Sequence, residues 1–459
     1  MIKTYNLGII DFQWWEWIFL PILVIGICFI TLMLVKNKMA SKPSYKYFKS
    51  AFIFKIFGGI FFGLIYVFYY GGGDTVSYYS STIPLVNLFY ESPEDYFRVL
   101  FNQHQFSIPE GSTQFEFFKF NYFTNETGFP LGMIGKDPKT FAVCKITSLF
   151  MLFLGNSYFA TTILIAAVTF IPLWRLFLVF CEEFKGIEKS LSFAILFIPS
   201  VIFWGGGMMK DTYTFSATCL AVSSVYYILK RKKIFWNIIL FIIAFYLIIS
   251  IKPYVLNILI PCTGIWFFAI FVKKVKNTTI KFIFMPLVFA GALGGSYFVL
   301  QSLGGSMDKF SLDNAIQTTQ VTQEDLKREE QYGSNNFDIG TIDGSVPNMI
   351  SKFPVATFAG LFRPLFFEAR SAVMLLSGLE NLALILLTYL VFFKIKMGIL
   401  WRMMIKHEIL FFCITFAVLF AFMIGLTTPN FGALVRFKIP LIPFFAAWLV
   451  IMRNHKKFI

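Results

Sequence analysis

WWEWIFLPILVIGICFITLMLVKNK, residues 14–38, is the stretch that decides the class of fold. Its apolar part, residues 14–35, is long enough as a helix to cross a hydrocarbon core of roughly 30 Å. Trp14, Trp15 and Trp17 suit the membrane–water interface, where an amphipathic ring has one apolar and one wet side. Lys36, Lys38, Lys42, Lys46 and Lys49 follow, a positive cluster that belongs on the cytoplasmic side and puts the N-terminus outside. The segment lacks a basic n-region and a small-residue cleavage site, so it reads as an anchor and not a signal peptide.

Composition extends the reading to the whole chain. Of 459 residues, 57% are hydrophobic and 14% charged, against about 25% charged in an average soluble domain, so lipid has to be the solvent. The apolar runs are continuous and do not alternate, which predicts an all-α protein and excludes a β-barrel. The net charge of +15, from 40 Lys and Arg against 25 Asp and Glu, is accounted for by cytoplasmic loops and implies no nucleic-acid partner. Six cysteines lie in or beside apolar segments without paired spacing, which points to neither disulfides nor zinc.

Placing each basic cluster inside gives a topology. Spans are predicted over 14–35, 51–70, 158–180, 191–204, 213–229, 234–251, 255–272, 282–300, 373–393, 409–426 and 439–452. The segment 141–154, about 14 residues or roughly 21 Å, is too short to cross and reads as re-entrant. Residues 354–370, interrupted by Pro354, Arg363 and Pro364, read as a half-span. The expectation is a single polytopic membrane domain over 1–459, with about 11–13 transmembrane or half-spanning helices. It carries two large extracytoplasmic loops, 71–140 and 304–350, and a cytoplasmic C-terminus. Within the second loop, Thr322 is predicted to cap a short solvated helix reaching Glu330. Neither a solenoid repeat nor inverted halves of the transporter kind are visible.

Charges that orientation does not require collect on the outer side, where ionisable groups near the membrane mark function. Asp74 follows three glycines that permit a sharp turn, which makes it the candidate catalytic acid or base; the plainer reading is a helix terminus. Tyr78 and Tyr79 follow it as candidate substrate contacts. Lys210 and Asp211 come after Gly205-Gly206-Gly207, with Asp211 read first as a helix N-cap. Lys252 and Tyr254 flank Pro253, Arg363 precedes Glu368 and Arg370, and Asn430 precedes Arg436 and Lys438. These outer cations break the positive-inside rule, and guanidinium and ammonium groups there suit phosphate or anionic headgroups. Some of them would instead be snorkelling anchors or partners of Glu368 and Glu380. Of three histidines only His104 falls outside, which disfavours a histidine metal site or a Ser-His-Asp triad, and Gly304-Gly305 lacks the Lys-Ser/Thr of a nucleotide loop.

The GGGDT segment at 71–75, Pro199-Ser200 leading to Phe203-Trp204 and the glycines, Lys210-Asp211, Lys252-Pro253-Tyr254, and Asn430-Phe431-Gly432 with Arg436 and Pro440 resemble scattered motifs of GT-C-type membrane glycosyltransferases and bacterial oligosaccharide repeat-unit polymerases. The resemblance implies a bacterial inner-membrane enzyme of envelope polysaccharide or glycoconjugate assembly, with a polyprenyl-phosphate-linked sugar as donor. In that family a first-loop acid acts on the acceptor or a divalent cation, a role that would fall to Asp74; Val76 replaces the second acid of the usual pair. Arg363 and Arg436 would engage the lipid pyrophosphate. Two other classes use the same features. A lipid-linked sugar transporter would need ionisable residues at mid-membrane, for which Arg175 and Lys145 are the candidates. A non-catalytic subunit of an envelope secretion or assembly complex would dock protein partners on the outer loops.

Overall fold

Among the described residues, apart from one antiparallel ribbon, β1 (Thr4–Asn6) paired with β2 (Asp11–Gln13), and an isolated bridge between Asn336 and Asn430, the regular secondary structure is helical. The computed structural model describes residues 4–6, 10–103, 108, 111–274, 291, 294, 297–302, 315–326, 335–340, 343 and 345–459. Helix α1 (Glu16–Ser41) begins just after the ribbon, so the predicted interfacial start includes a strand that its aromatic composition did not signal. Glu16 is buried at the start of α1, where it accepts from the Gln13 amide at 3.0 Å and from the Ser157 hydroxyl. Farther along, α1 offers its apolar side chains to the surroundings, with Ile25 67% and Leu34 76% exposed. A helix that is apolar all round and uncovered by protein needs lipid around it.

The chain packs as two compact units, Met1–Arg175 with Ile202–Lys252, and Leu176–Val201 with Pro253–Ile459. In the first, α2 (Phe48–Leu64) runs into a π-turn at Ile65–Tyr69. Residues 71–73 then reverse the chain, all three glycines with positive φ (65°, 132° and 113°), a path that side-chain-bearing residues rarely follow. The predicted outer loop that follows is largely helical: α3 (Asp74–Glu91), α4 (Pro93–Leu100), α5 (Gln114–Asn121), α6 (Gly132–Gly135) and α7 (Pro138–Met151). Sequence-local caps set the starts. The Ser92 hydroxyl accepts from the Asp95 amide, Thr113 and Glu116 form a reciprocal capping box, and the Asp137 carboxylate accepts from the Lys139 amide.

The next helix is α8 (Tyr158–Glu183). The span predicted over 191–204 is broken into α9 (Glu188–Ile195) and α10 (Pro199–Trp204). Pro199 has no N–H to donate and disfavours helical backbone at Ile198, which is sufficient to end the first piece. Helices α11 (Lys210–Leu229) and α12 (Ile234–Ile251) pack along each other in the first unit, and α3 lies on α7. Gly59 and Gly206 bring α2 against the turn before α11: a Cβ on Gly206 would lie 3.0 Å from the Gly59 nitrogen.

The second unit contains α13 (Tyr254–Lys274), α14 (Ala315–Leu326), α15 (Val346–Ser351), α16 (Phe353–Phe362), α17 (Ala372–Lys394), α18 (Met397–Lys406), α19 (Ile409–Thr427), α20 (Phe431–Phe437) and α21 (Ile442–Arg453). Helix α19 is the hub, packed by α13, α16 and α21. Its contact with α16 is backbone-close: a Cβ on Gly425 would run into the Ala356 carbonyl, and one on Gly360 into that of Ala421, the small-residue packing that tightens helix pairs in lipid. Thr322 lies inside α14 and does not cap it, since the helix starts seven residues earlier at Ala315. Helix α20 forms in the stretch between the spans predicted over 409–426 and 439–452, and it meets α21 at a 67° bend.

Among the described residues, six helices are long and apolar enough to cross a membrane: Glu16–Ser41, Pro43–Tyr69, Tyr158–Glu183, Ile234–Ile251, Ala372–Lys394 and Ile409–Thr427; the bent pair makes up to seven. The chain thus has the helices of a multi-pass membrane protein. Most of the span predicted over 282–300, His104 and Gly304-Gly305 lie outside the described residues.

Candidate functional site

In the first unit, charged side chains gather where α3, α7 and α11 begin and α12 ends. Asp74 is exposed and is the first residue of α3, with Gly73 at the N-cap. A carboxylate there is favoured by the helix dipole whether or not it does chemistry. Asp137, at the N-cap of α7, accepts from Lys210 Nζ at 3.3 Å and from the Thr140 hydroxyl. Lys210 Nζ also donates to Thr140 Oγ1 at 2.5 Å, and the charges of Asp137, Lys252 and Asp74 all act on it. Lys252, at the C-cap of α12, pairs with Asp211 at 2.5 Å, the two side chains 9% and 3% exposed.

This corrects the reading of Asp211 as a helix cap. Met209 holds the N-cap position of α11 without a side-chain hydrogen bond, and Asp211 lies in the first turn as the buried partner of Lys252. Tyr78 and Tyr79 are also inside the protein, 5% and 6% exposed. The Tyr79 hydroxyl donates to the Asn156 carbonyl at 2.8 Å, and the Tyr78 carbonyl accepts from the Thr82 hydroxyl at 2.7 Å. Tyr254 starts α13 in the second unit and is half-buried.

The second unit has its own cluster around the turn after α16. Arg363 pairs with Glu368 at 2.6 Å, and Glu368 also accepts from the Leu365 amide at 2.8 Å. The Arg363 guanidinium lies 4.9 Å from the Phe337 ring centroid and 5.7 Å from that of Phe431. Lys438, fully buried, donates to the Arg363 carbonyl at 3.2 Å and to the Asn381 side chain. Asn381 in turn donates to the Pro364 carbonyl at 2.8 Å. Glu380 accepts from the Ser200 amide and hydroxyl at 3.0 and 2.6 Å, and its charge acts on Lys438. Asn430 caps α20 through the Ala433 amide and donates to Asn336 at 2.9 Å. Arg436 is half-buried, its guanidinium 5.2 Å from the Phe437 ring, and Arg370 is exposed.

Several participants escaped the sequence reading. Asp137, Thr140 and Asn381 are recognisable only from their distant partners. Lys55 had a signal, a lone lysine in an otherwise apolar span: it is fully buried in α2 and donates to the Gly205 carbonyl. Arg175, one of two mid-membrane candidates, donates to Ser223 at 3.1 Å and to Asn237. Among the described residues no group of three or more His, Cys, Asp or Glu side chains is placed to hold a metal, so a divalent cation has no ready-made ligand set there. Compared with known proteins, the chain matches no family model, and no curated protein or solved structure is significantly similar to it.

Proposed function

We propose that the chain is a multi-pass glycosyltransferase or polymerase acting on polyprenyl-phosphate-linked sugars at the outer face of a bacterial inner membrane, in envelope polysaccharide or glycoconjugate assembly. In this reading 11–13 spanning or half-spanning helices hold two outer loops, with the N-terminus outside and the C-terminus cytoplasmic. The observation that carries it is the meeting of Asp74, Asp137, Lys210, Asp211 and Lys252 at helix ends. So dense a set of ionisable groups beside apolar spans is costly unless used. Asp74 accepts the proton of an acceptor hydroxyl as that oxygen attacks the anomeric carbon. The bond from that carbon to the phosphate oxygen breaks, and an Arg or Lys cation stabilises the departing phosphate. The test is Asp74→Asn and Arg436→Ala, each at normal membrane expression, in a strain whose cell-surface glycans depend on the protein. Loss of the glycan ladder supports the reading; an unchanged ladder in both removes it.

One observation favours a second reading, a transporter of a lipid-linked sugar. Lys55 is wholly enclosed within the Pro43–Tyr69 span, where an ionisable group suits ion coupling. Flux of a lipid-linked sugar into vesicles that the unaltered protein supports and Lys55→Met loses, with no sugar transfer by the unaltered protein in detergent, would favour transport over transfer.

A further inference from the structure

The first unit has a second feature, which borders the charge cluster at the start of α7. A cavity of about 450 Å³ lies between α4, α5, α7 and α12, within the range of about 300–1,000 Å³ that small-molecule sites occupy. Phe115, Phe118 and Phe141 form much of its wall, Lys136, Lys139 and Lys145 also line it, and among the described residues no lining residue is acidic. Two of the lysines are already engaged: Lys139 donates to the Ile249 carbonyl at 3.2 Å, and the charge of Lys136 acts on Glu116. Lys145 differs. It is 8% exposed, donates to Asn102 Oδ1 at 2.5 Å, and lies 5.0 and 5.2 Å from the ring centroids of Phe118 and Phe141. Among the described residues no carboxylate is within ion-pair distance of it.

An ammonium carries three N–H donors, and one is used here. Two aromatic faces stabilise the charge without neutralising it. Buried charge is ordinarily paired, because removal from water has to be offset by an opposite charge and by hydrogen bonds. An anion in the cavity would supply both, and the phenylalanines would receive an apolar body attached to it. Tyr246 and Ser250 of α12, a helix long and apolar enough to cross a membrane, also line the cavity.

We infer that this cavity binds an amphipathic anion, a phosphate or carboxylate head on Lys145 with an alkyl body among Phe115, Phe118 and Phe141. The inference does not rest on the glycosyl-transfer reading: Lys136 and Pro138, on either side of Asp137, line the cavity, but none of Asp74, Asp137, Lys210, Asp211 and Lys252 does. The experiment uses the full-length protein in uncharged maltoside detergent, titrated with octyl phosphate, inorganic phosphate or octanol. Binding is read as hydrogen-exchange protection over residues 114–149. Octyl phosphate is expected to protect, while the head alone and the tail alone do not. Lys145→Met should weaken octyl phosphate about tenfold or more, as loss of a charge-assisted hydrogen bond implies, and Lys145→Arg should retain it. Ala142→Phe leaves every charge in place and fills the cavity, so it should abolish protection even if the lysine variant does not fold. Absence of protection in the unaltered protein, equal protection by inorganic phosphate or octanol, or wild-type binding by Ala142→Phe would overturn the assignment.

Discussion

Lys252→Met tests whether the Asp211–Lys252 pair is a structural tie between α11 and α12. The pair is closed at 2.5 Å with both side chains nearly sealed from solvent. Removing one partner of a buried pair leaves an uncompensated charge and costs about 3–5 kcal/mol. The lower end applies here, about 3 kcal/mol, because Asp211 and Lys252 each have further interactions besides their pairing. Asp211→Asn should cost a comparable amount by stranding the ammonium. The double variant removes both charges and should recover much of the loss, since an apolar replacement of a whole buried pair is often near neutral. Unfolding of the purified protein by added anionic detergent gives the four free energies of the cycle. A coupling energy of about 2 kcal/mol or more is expected. Additive single losses, with coupling below about 0.5 kcal/mol, would refute the pair as a tie and would mean that each residue is held by other groups.

Gly425→Val forces a side chain against the Ala356 carbonyl and should destabilise the α16–α19 contact by about 1–3 kcal/mol, measured in the same unfolding titration. Asn381→Leu removes an acceptor from buried Lys438 and the donor to the Pro364 carbonyl; a loss of about 1–3 kcal/mol follows, and a silent substitution would show that the amide is dispensable. The backbone N–H of Thr113 first, and its hydroxyl second, hold the exposed Glu116 carboxyl below its ordinary range. A depressed folded value means that its contribution is present above the ordinary carboxylate range and is lost as pH falls through the lower folded value. Amide exchange in α5 should therefore rise on acidification through that window, and Glu116→Gln should flatten the dependence.

The spans were legible where apolar residues stood between charged or proline-bearing stops. Helix α12 runs over Ile234–Ile251 as read, bounded by Lys233 before it and Lys252-Pro253 after it. Helix α3 was hidden because its serines, threonines and tyrosines look like loop residues, whereas their hydroxyls are satisfied internally: Thr75 meets Tyr158 at 3.0 Å and Thr82 bonds the Tyr78 carbonyl. The break at Pro199 could be read locally, yet hydropathy over 191–204 outweighed it. At the candidate site, residue types were legible and their partners were not. Lys252 is 41 positions from Asp211, and no local pattern distinguishes a distant ion pair from a helix cap at Asp211.

Charge balance within each unit constrains where an anionic substrate would bind. In the first unit, Lys210 and Lys252 stand among Asp74, Asp137 and Asp211, so that cluster has more carboxylates than cations and does not by itself attract phosphate. It suits proton transfer or recognition of hydroxyl groups. In the second unit Arg363 is matched by Glu368, Lys438 is sealed and bonded to Asn381 and Arg363, and Arg370 and Arg436 remain more accessible. Asp74 belongs to the first unit, and Arg370 and Arg436 belong to the second. The Asp74→Asn and Arg436→Ala results can be read separately for this reason. Transfer requires both to fall, whereas loss in Arg436→Ala alone would leave an anion-binding protein without an essential carboxylate, as a transporter would be.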